Sequence, residues 1–242
     1  MKKIFTFFLL SFVLGASAAF AQDVAVTDAK SLLEAAYNKS GGTKWENVLT
    51  LTRQGTLTII GTEIGDLDGT ISQANKFPTH SVVSQEIGTP MGMMSIKNVV
   101  TPEKAWMDHS FSGRQEIPND EANIEKNASP EKNLLNDTET TYTFAEGTLD
   151  NQAVYVLTYT KKDNTHTRYY DKTSLLCLAN KVESENGTST QYFVNRMDKD
   201  GLLFVSEIKI VQNMGGNEMT IKVKYDEISV NPTLSDDLFS DK

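Results

Sequence analysis

The sequence predicts a mainly β protein with a few helices, in which the strands form a curved antiparallel sheet. The first observation is the stretch from Tyr142 to Val230, where short segments of alternating apolar and polar residues follow one another. Turn-forming residues such as Glu185-Asn186-Gly187 separate these segments. The second observation is that only one convincing amphipathic helix precedes them. We therefore expect an α+β protein in which one large meander provides most of the structure.

The N-terminus has the pattern of a secretory signal peptide. Lys2 and Lys3 precede an apolar run from Ile4 to Ala16, and Ala19-Phe20-Ala21 matches an A-x-A cleavage site. An apolar run of about 13 residues is shorter than the roughly 20 that a membrane-spanning helix needs. We predict that residues 1–21 are removed and that residues 22–242 form a single domain, soluble in the periplasm or outside the cell, without stable membrane insertion.

Charge and cysteine content exclude several classes of partner and crosslink. Loss of Lys2 and Lys3 with the leader changes the formal net charge from −9 to −11, which opposes binding to nucleic acid or to an anionic membrane. Cys177 is the only cysteine, so no internal disulfide can form. Its position in the apolar run from Leu175 to Leu178 indicates a small buried side chain.

The predicted helix follows the leader. Thr27 or Asp28 can cap its start, and Gly41-Gly42 can end it. Its apolar residues recur at helical spacing and form one stripe, which comprises Ala29, Leu32, Leu33, Ala36 and Tyr37.

From Val48 to Ile60 the apolar period changes to two, which predicts a strand with one dry face formed by Leu49, Leu51, Leu57 and Ile59. The same parity places Arg53 on the dry face. An unpaired buried charge is very costly, so Arg53 either pairs with a carboxylate or backbone carbonyls, or lies at the mouth of a cavity.

Three further strands are predicted before residue 115, at Ser81 to Ile87, Met94 to Val100 and Lys104 to His109. Met91, Met93 and Met94 lie close together between the first two. Such a methionine cluster either provides an adaptable apolar surface or fills gaps in the core. Trp45 and Trp106 flank strand regions and either line a cavity or pack in the core.

The interval from Gln115 to Asp137 is polar and contains two prolines, which predicts a loop with one or two short helical turns. A connection this long is either functional, as a flap over the sheet, or a solvent loop. After it, seven strands are predicted, at Tyr142 to Phe144, Ala153 to Thr160, Thr165 to Tyr170, Leu175 to Val182, Thr190 to Met197, Leu202 to Val211 and Glu218 to Val230.

No catalytic, metal-binding or cofactor-binding pattern is found. His80, His109 and His166 are not at metal-ligand spacing with other ligands, and the sequence has no G-x-S-x-G, P-loop or G-x-G-x-x-G motif. Several aspartates lie in turns, where their own hydrogen bonding explains them. We therefore predict no catalytic residues, no metal, no cofactor and no enzymatic activity.

The order of the elements resembles that of a known superfamily. A signal peptide, a helix ending at Gly41-Gly42 and a strand around Trp45 to Ile60 come first, followed by a hairpin at Tyr169-Tyr170-Asp171-Lys172-Thr173-Ser174-Leu175-Leu176. The later features are Asp198-Lys199-Asp200-Gly201-Leu202-Leu203-Phe204, a long final strand, Ile228-Ser229-Val230-Asn231-Pro232 and Asp237-Leu238-Phe239. Over most of the mature chain these features resemble the LolA-like superfamily of periplasmic lipoprotein carriers and outer-membrane lipoprotein-sorting proteins.

The resemblance implies a strongly curved antiparallel sheet that forms an incomplete barrel covered by helices, with an apolar cavity between them. It implies a non-enzymatic carrier of lipoprotein acyl chains or other lipids, and a role for Arg53 in holding the helical cover. The segment from Gln115 to Asp137 is more polar than such a cover should be. The alternative is an envelope protein-interaction module with a filled core. The predicted ligand contacts are Leu49, Leu51, Arg53, Leu57, Ile59, Met91, Met93, Met94 and Trp106.

Overall fold

The structure, a computed structural model, describes residues 25–118 and 125–240. The predicted signal peptide lies outside these residues, as does the predicted domain start at Gln22. Two α-helices are present in the described chain, α1 (Ala29–Ser40) and α2 (Pro130–Asn136). Short 3-10 helical segments follow α1 at Gly42–Asn47 and end the described chain at Asp236–Phe239.

In residues 25–118 and 125–240, thirteen strands form one antiparallel sheet. In chain order they are β1 (Thr50–Thr62), β2 (Gly65–Lys76), β3 (His80–Thr89), β4 (Gly92–Val100), β5 (Ala105–His109), β6 (Gly113–Ile117), β7 (Thr143–Leu149), β8 (Gln152–Lys161), β9 (Asn164–Asp171), β10 (Cys177–Ser184), β11 (Gly187–Lys199), β12 (Leu202–Met214) and β13 (Asn217–Val230).

The sheet consists of two meanders joined in the middle. Strands β1 to β6 run outward in sequence order on one side, β13 back to β7 run outward on the other, and β1 pairs with β13 at the centre. Strands β6 and β7 are the two edges, so the sheet is an incomplete, curved barrel. Because the chain goes from β6 to β7, it must pass from one edge to the other. The described part of this connection that contains α2, residues 125–137, is called the cover segment below.

Helix α1 forms where the sequence predicts it. Asp28 and Ser31 form a capping box, in which the backbone N–H of Ser31 donates to Asp28 Oδ1 at 2.7 Å. Gly41 ends the helix at φ 143°, a conformation that disfavours other residues. The apolar stripe, with Leu32 and Leu33 fully buried, packs against Leu134 of α2 and against β8 to β10.

The central pair β1–β13 contains an irregularity. The pairing register of the two strands shifts by one residue between Gln54 and Gly55, because Asp226 is an extra residue on β13. Gly55 is required here, since a Cβ atom would overlap the backbone carbonyl of Lys224. On β13, Val223 and Tyr225 are buried at alternate positions before the bulge, and burial resumes at Ile228 after it.

Two strands were not predicted. Strand β2 was missed because GDLDGTISQANK is mostly polar and its buried Leu67, Ile71 and Ala74 are not spaced by two. Strand β6, which overlaps the start of the segment predicted as a loop, is a short edge strand of exposed, mostly polar residues. The predicted helical turns in that interval are present as α2, which Ser129 caps and Pro130 begins.

The sheet is covered on both faces. On the inner face, which carries the helices, Trp45, Leu51, Leu57 and Phe204 belong to one large apolar cluster. On the outer face, Ala74, Val82, Val99 and Trp106 form a row across β2 to β5, because each is opposite the next in the strand register. Leu234 and Phe239 of the C-terminal segment pack over this row.

Within residues 25–118 and 125–240, no helix is both long and apolar enough to cross a bilayer.

Candidate functional site

A cavity of about 300 Å³ lies on the inner face, between the strands, α1 and the cover segment. This volume is at the lower end of the range of small-molecule sites, roughly 300–1,000 Å³. The described residues that line it are Ala36, Ser40, Trp45, Leu51, Arg53, Gln73, Asn75, Phe77, Glu125, Ala128, Pro130, Glu131, Arg168, Leu176, Cys177, Asn180, Gln191, Phe193, Arg196, Leu203, Phe204, Val205 and Ile208.

Five of the predicted ligand contacts lie in or beside this cavity. Leu51 and Arg53, two residues apart on β1, line it directly. Leu57 and Ile59 continue the same strand into the inner apolar cluster without reaching the cavity, and Met94 packs against that cluster.

The other four predicted contacts are elsewhere. Leu49 is 65% exposed because it precedes β1, where the alternation has not begun. Met91 and Met93 are exposed at the tip of the β3–β4 hairpin. Trp106 is buried in the outer row, and its indole N–H donates to Asp108 Oδ2 at 3.1 Å. Packing therefore explains Trp106, and none of the four belongs to the cavity.

Arg53 lies in the cavity wall, and no carboxylate of the described residues forms an ion pair with it. Its guanidinium carbon is 5.9 Å from the centre of the Phe204 ring and 5.6 Å from that of Tyr225, so aromatic faces provide part of its environment. Its Nε is buried and has no hydrogen-bond partner among the described residues. Arg53 therefore lines the cavity, where its guanidinium lies close to aromatic rings.

Sequence reasoning missed two further arginines in the wall. Arg168, on β9, is buried and bonds Glu131 of α2, with 3.2 Å between Nη2 and Oε1. Arg168 is two residues from the apolar Tyr170 on β9, so both side chains lie on the same face of the sheet. This spacing could have predicted that Arg168 is buried. Arg196, on β11, donates to the backbone carbonyl of Cys177. A β-bulge around Val194 changes which face of the sheet the following residues of β11 lie on, including Arg196. No local sequence pattern predicts this bulge.

Amide side chains complete the polar part of the wall. Gln191, Asn180 and Arg168 lie opposite one another on β11, β10 and β9, and Gln73 lies opposite Arg53 on β2. The buried Oδ1 of Asn180 and Nε of Arg168 have no hydrogen-bond partner in the described chain. Buried polar atoms are normally paired, so this wall offers unused donors and an unused acceptor.

Burial raises the pKa of two acidic groups in the lining, Glu125 and Cys177. Glu125 is exposed as a whole residue, but desolvation raises the pKa of its carboxyl group, against the opposing influence of Arg53 and Arg168. Desolvation also raises the pKa of the Cys177 thiol. Cys177 is buried, as predicted, and its Sγ is 3.3 Å from the Ala179 carbonyl oxygen.

Among the side chains of residues 25–118 and 125–240, no group of three or more His, Cys, Asp or Glu is arranged to hold a metal ion.

The chain was compared with known proteins. No protein-family model matches it, and no curated protein matches it in sequence. Solved structures do match its fold. One is a domain from Vibrio parahaemolyticus named for outer membrane lipoprotein sorting, with a TM-score of 0.59 and 11% identity, covering 86% of this chain and 95% of the other.

Two further structures are similar to the same degree. They are a DUF1329 family protein from Desulfovibrio piger and a LolA superfamily protein from Nitrosomonas europaea. Each has a TM-score of 0.58, 13% identity, and coverage of 89% of this chain and 98% of the other. The chain therefore has a LolA-like fold, which confirms the fold that the sequence resemblance implied.

Proposed function

We propose that the protein is a non-enzymatic periplasmic carrier or binding protein that holds an acyl chain, from a lipoprotein or another lipid, in the inner cavity. The single observation that carries this proposal is the cavity itself, about 300 Å³ between a curved sheet and a helical cover. The periplasmic location rests on the signal-peptide pattern of residues 1–21.

The apolar part of the lining supports an acyl ligand. Trp45, Phe193 and Phe204 provide aromatic surface, and Leu51 and Ile208 provide aliphatic surface. Transfer of one methylene from water to such surface contributes about 0.8 kcal/mol. A chain of ten carbons therefore has a driving force of roughly 8 kcal/mol before the costs of association.

The alternative, an envelope interaction module with a filled core, receives less support. Open edges at β6 and β7 offer places for strand addition. Its defining feature is an interior occupied by side chains, and the cavity is at odds with that feature. The carrier is therefore our principal proposal.

Two experiments test the carrier. Native mass spectrometry of protein purified from its own envelope should detect a bound lipid, and the delipidated protein should take up a fluorescent fatty acid. Recovery of ligand-free protein only, together with no uptake, would count against the proposal.

A pair of substitutions tests whether the cavity is the binding place. Val205→Trp introduces a large ring into the lining, whereas Ile64→Trp adds the same ring at an exposed position in the turn between β1 and β2. We expect Val205→Trp to reduce uptake at least about tenfold, because the lost apolar contact corresponds to two or more methylenes. Ile64→Trp should bind as the wild type does, and equal loss in both variants would contradict the assignment.

A further inference from the structure

The described lining has an uneven distribution of charge. Its strands contribute three arginines, Arg53, Arg168 and Arg196, and no carboxylate. Both carboxylates of the lining, Glu125 and Glu131, come from the cover segment. Positive charge is therefore built into the wall of an acidic protein with a formal net charge of −9, and negative charge reaches the cavity from the cover.

One of the two carboxylates already has a partner. Glu131 bonds Arg168, and both side chains are buried. Even so, Nε of Arg168 remains without a hydrogen bond in the described chain. The guanidinium therefore has a spare donor beside the cavity, on a side chain that is about nine-tenths buried.

Arg53 has a comparable spare donor. Its Nε is buried without a partner in the described residues, and its guanidinium carbon is 5.9 Å from the centre of the Phe204 ring and 5.6 Å from that of Tyr225. Arg196 uses one nitrogen to bond the carbonyl of Cys177. A guanidinium presents five N–H donors, so the three arginines provide more donors than the described acceptors use.

Glu125 lines the same cavity as the three arginines. Arg53 and Arg168 favour its charged form, but desolvation outweighs them, so the pKa of this carboxyl group is raised. A carboxylate that is held at a cost is readily replaced by an anion that forms better hydrogen bonds. The apolar lining beside the arginines would accommodate a hydrocarbon chain attached to that anion.

We propose that the cavity binds an anionic amphiphile whose carboxylate or phosphate head is held by Arg53, Arg168 and Arg196, in competition with the Glu125 carboxylate of the cover segment. This inference rests on the proposed carrier function and specifies its ligand class. The acyl chain extends along Trp45, Phe193 and Phe204, and the head is bound by charge-assisted hydrogen bonds.

The experiment compares ligands with the same chain and different heads. Isothermal titration calorimetry of the mature protein, at concentrations where the ligands do not aggregate, would use dodecanoate, dodecyl phosphate, dodecanol and inorganic phosphate. We expect both anionic amphiphiles to bind at least about tenfold more tightly than dodecanol, since one charge-assisted hydrogen bond corresponds to roughly that factor. Inorganic phosphate should bind weakly.

Charge variants test the residues. Arg53→Gln should reduce the preference for dodecanoate over dodecanol to about threefold or less, without weakening dodecanol binding. Arg114→Gln removes the same charge on β6, where Arg114 bonds Asp108 away from the cavity, and should leave the preference unchanged. Glu125→Gln should strengthen dodecanoate binding several-fold, because a neutral amide competes less well for the arginines.

The outcomes separate the two proposals. Equal affinities for dodecanoate and dodecanol, or a preference unchanged in Arg53→Gln, would overturn the anionic head group while leaving the carrier in place. Unchanged dodecanoate binding by Glu125→Gln would overturn the displacement of Glu125. Phosphate that binds as tightly as dodecyl phosphate would indicate a site for free phosphate instead. Binding of none of the amphiphiles would overturn the carrier as well.

Discussion

Arg168 of β9 and Glu131 of α2 form a buried ion pair, with 3.2 Å between Nη2 and Oε1 and with side chains 9% and 10% exposed. The pair joins the sheet to the cover segment by a charged hydrogen bond. A second link is apolar, since Leu134 of α2 packs against the cluster around Leu157 and Tyr170. Together these contacts hold α2 over the inner face.

Removal of one partner of this pair should be costly. Glu131→Ala leaves the Arg168 charge buried without its carboxylate, and we expect the free energy of unfolding to fall by about 3 kcal/mol in urea titrations. Glu34→Ala is the matched control, because its partner Lys30 and Glu34 itself are largely exposed, and should cost about 0.5 kcal/mol or less. Equal decreases in the free energy of unfolding of the two variants would show that the buried ion pair stabilises the fold no more than the exposed pair does.

The C-terminal segment should stabilise the outer face of the sheet. Phe239 is buried against the row that contains Trp106, so we expect Phe239→Ala to lower the free energy of unfolding by about 3 kcal/mol. Its neighbour Leu238 is 42% exposed, and Leu238→Ala should change stability by about 0.5 kcal/mol or less. Ligand binding on the opposite face should be unaffected in both, and its loss in folded Phe239→Ala would contradict the separation of the faces.

Cys177 should react slowly with thiol reagents in the folded state. The residue is buried and desolvation raises the pKa of its thiol, so little nucleophilic thiolate is accessible. In a Cys177→Ser background, Ser112→Cys places a thiol at an exposed hairpin tip. Iodoacetamide at pH 8 should modify this cysteine at least about tenfold faster than Cys177. Similar rates would show that the Cys177 thiol is accessible.

Tyr142 should affect stability at alkaline pH. Its hydroxyl donates to the Leu134 carbonyl at 2.9 Å, and burial raises the pKa of Tyr142 to about 12. An unfolded tyrosine ionises near pH 10, so between roughly pH 10 and 12 the folded state retains the proton that the unfolded state loses. Stability should therefore fall as pH rises through this interval, as far as this residue is concerned.

The Tyr142 contribution can be isolated by comparing variants. Tyr142→Phe should remove this part of the alkaline loss and should cost about 1 kcal/mol near pH 7, where the hydrogen bond to Leu134 is missing. Tyr192→Phe, on β11, controls for the loss of a tyrosine hydroxyl elsewhere. Urea unfolding at a series of pH values measures both the cost of the substitution near pH 7 and the loss of stability at alkaline pH. An identical pH slope in wild type and Tyr142→Phe would contradict the assignment.

Sequence patterns predicted the strands of the second meander well, because their turns contain residues that strongly favour reversal. Gly187 and Gly201, for example, have positive φ at the predicted turns. Strand β2 escaped prediction for a reason related to the site. Its inner face contributes Gln73 and Asn75 to the cavity, so the apolar alternation expected of a strand is absent there.

The candidate site was predicted less completely than the fold. Arg53 was identified because its neighbours on β1 alternate regularly, and the same reasoning applies to Arg168 beside Tyr170. Arg196 depends on the bulge at Val194, and Glu125 and Glu131 depend on how the chain crosses from β6 to β7. Those relationships arise from long-range packing, which local periodicity does not encode.

The pairing of β1 with β13 has a consequence for how the chain folds. Every other strand pair is a hairpin between consecutive strands, which closes a short loop at little entropic cost, whereas this central seam joins the first strand to the last. Local hairpins should form early and the seam late, after the final strand has been synthesised. Until then β1 and β12 each present an unpaired edge, which is a hazard for aggregation.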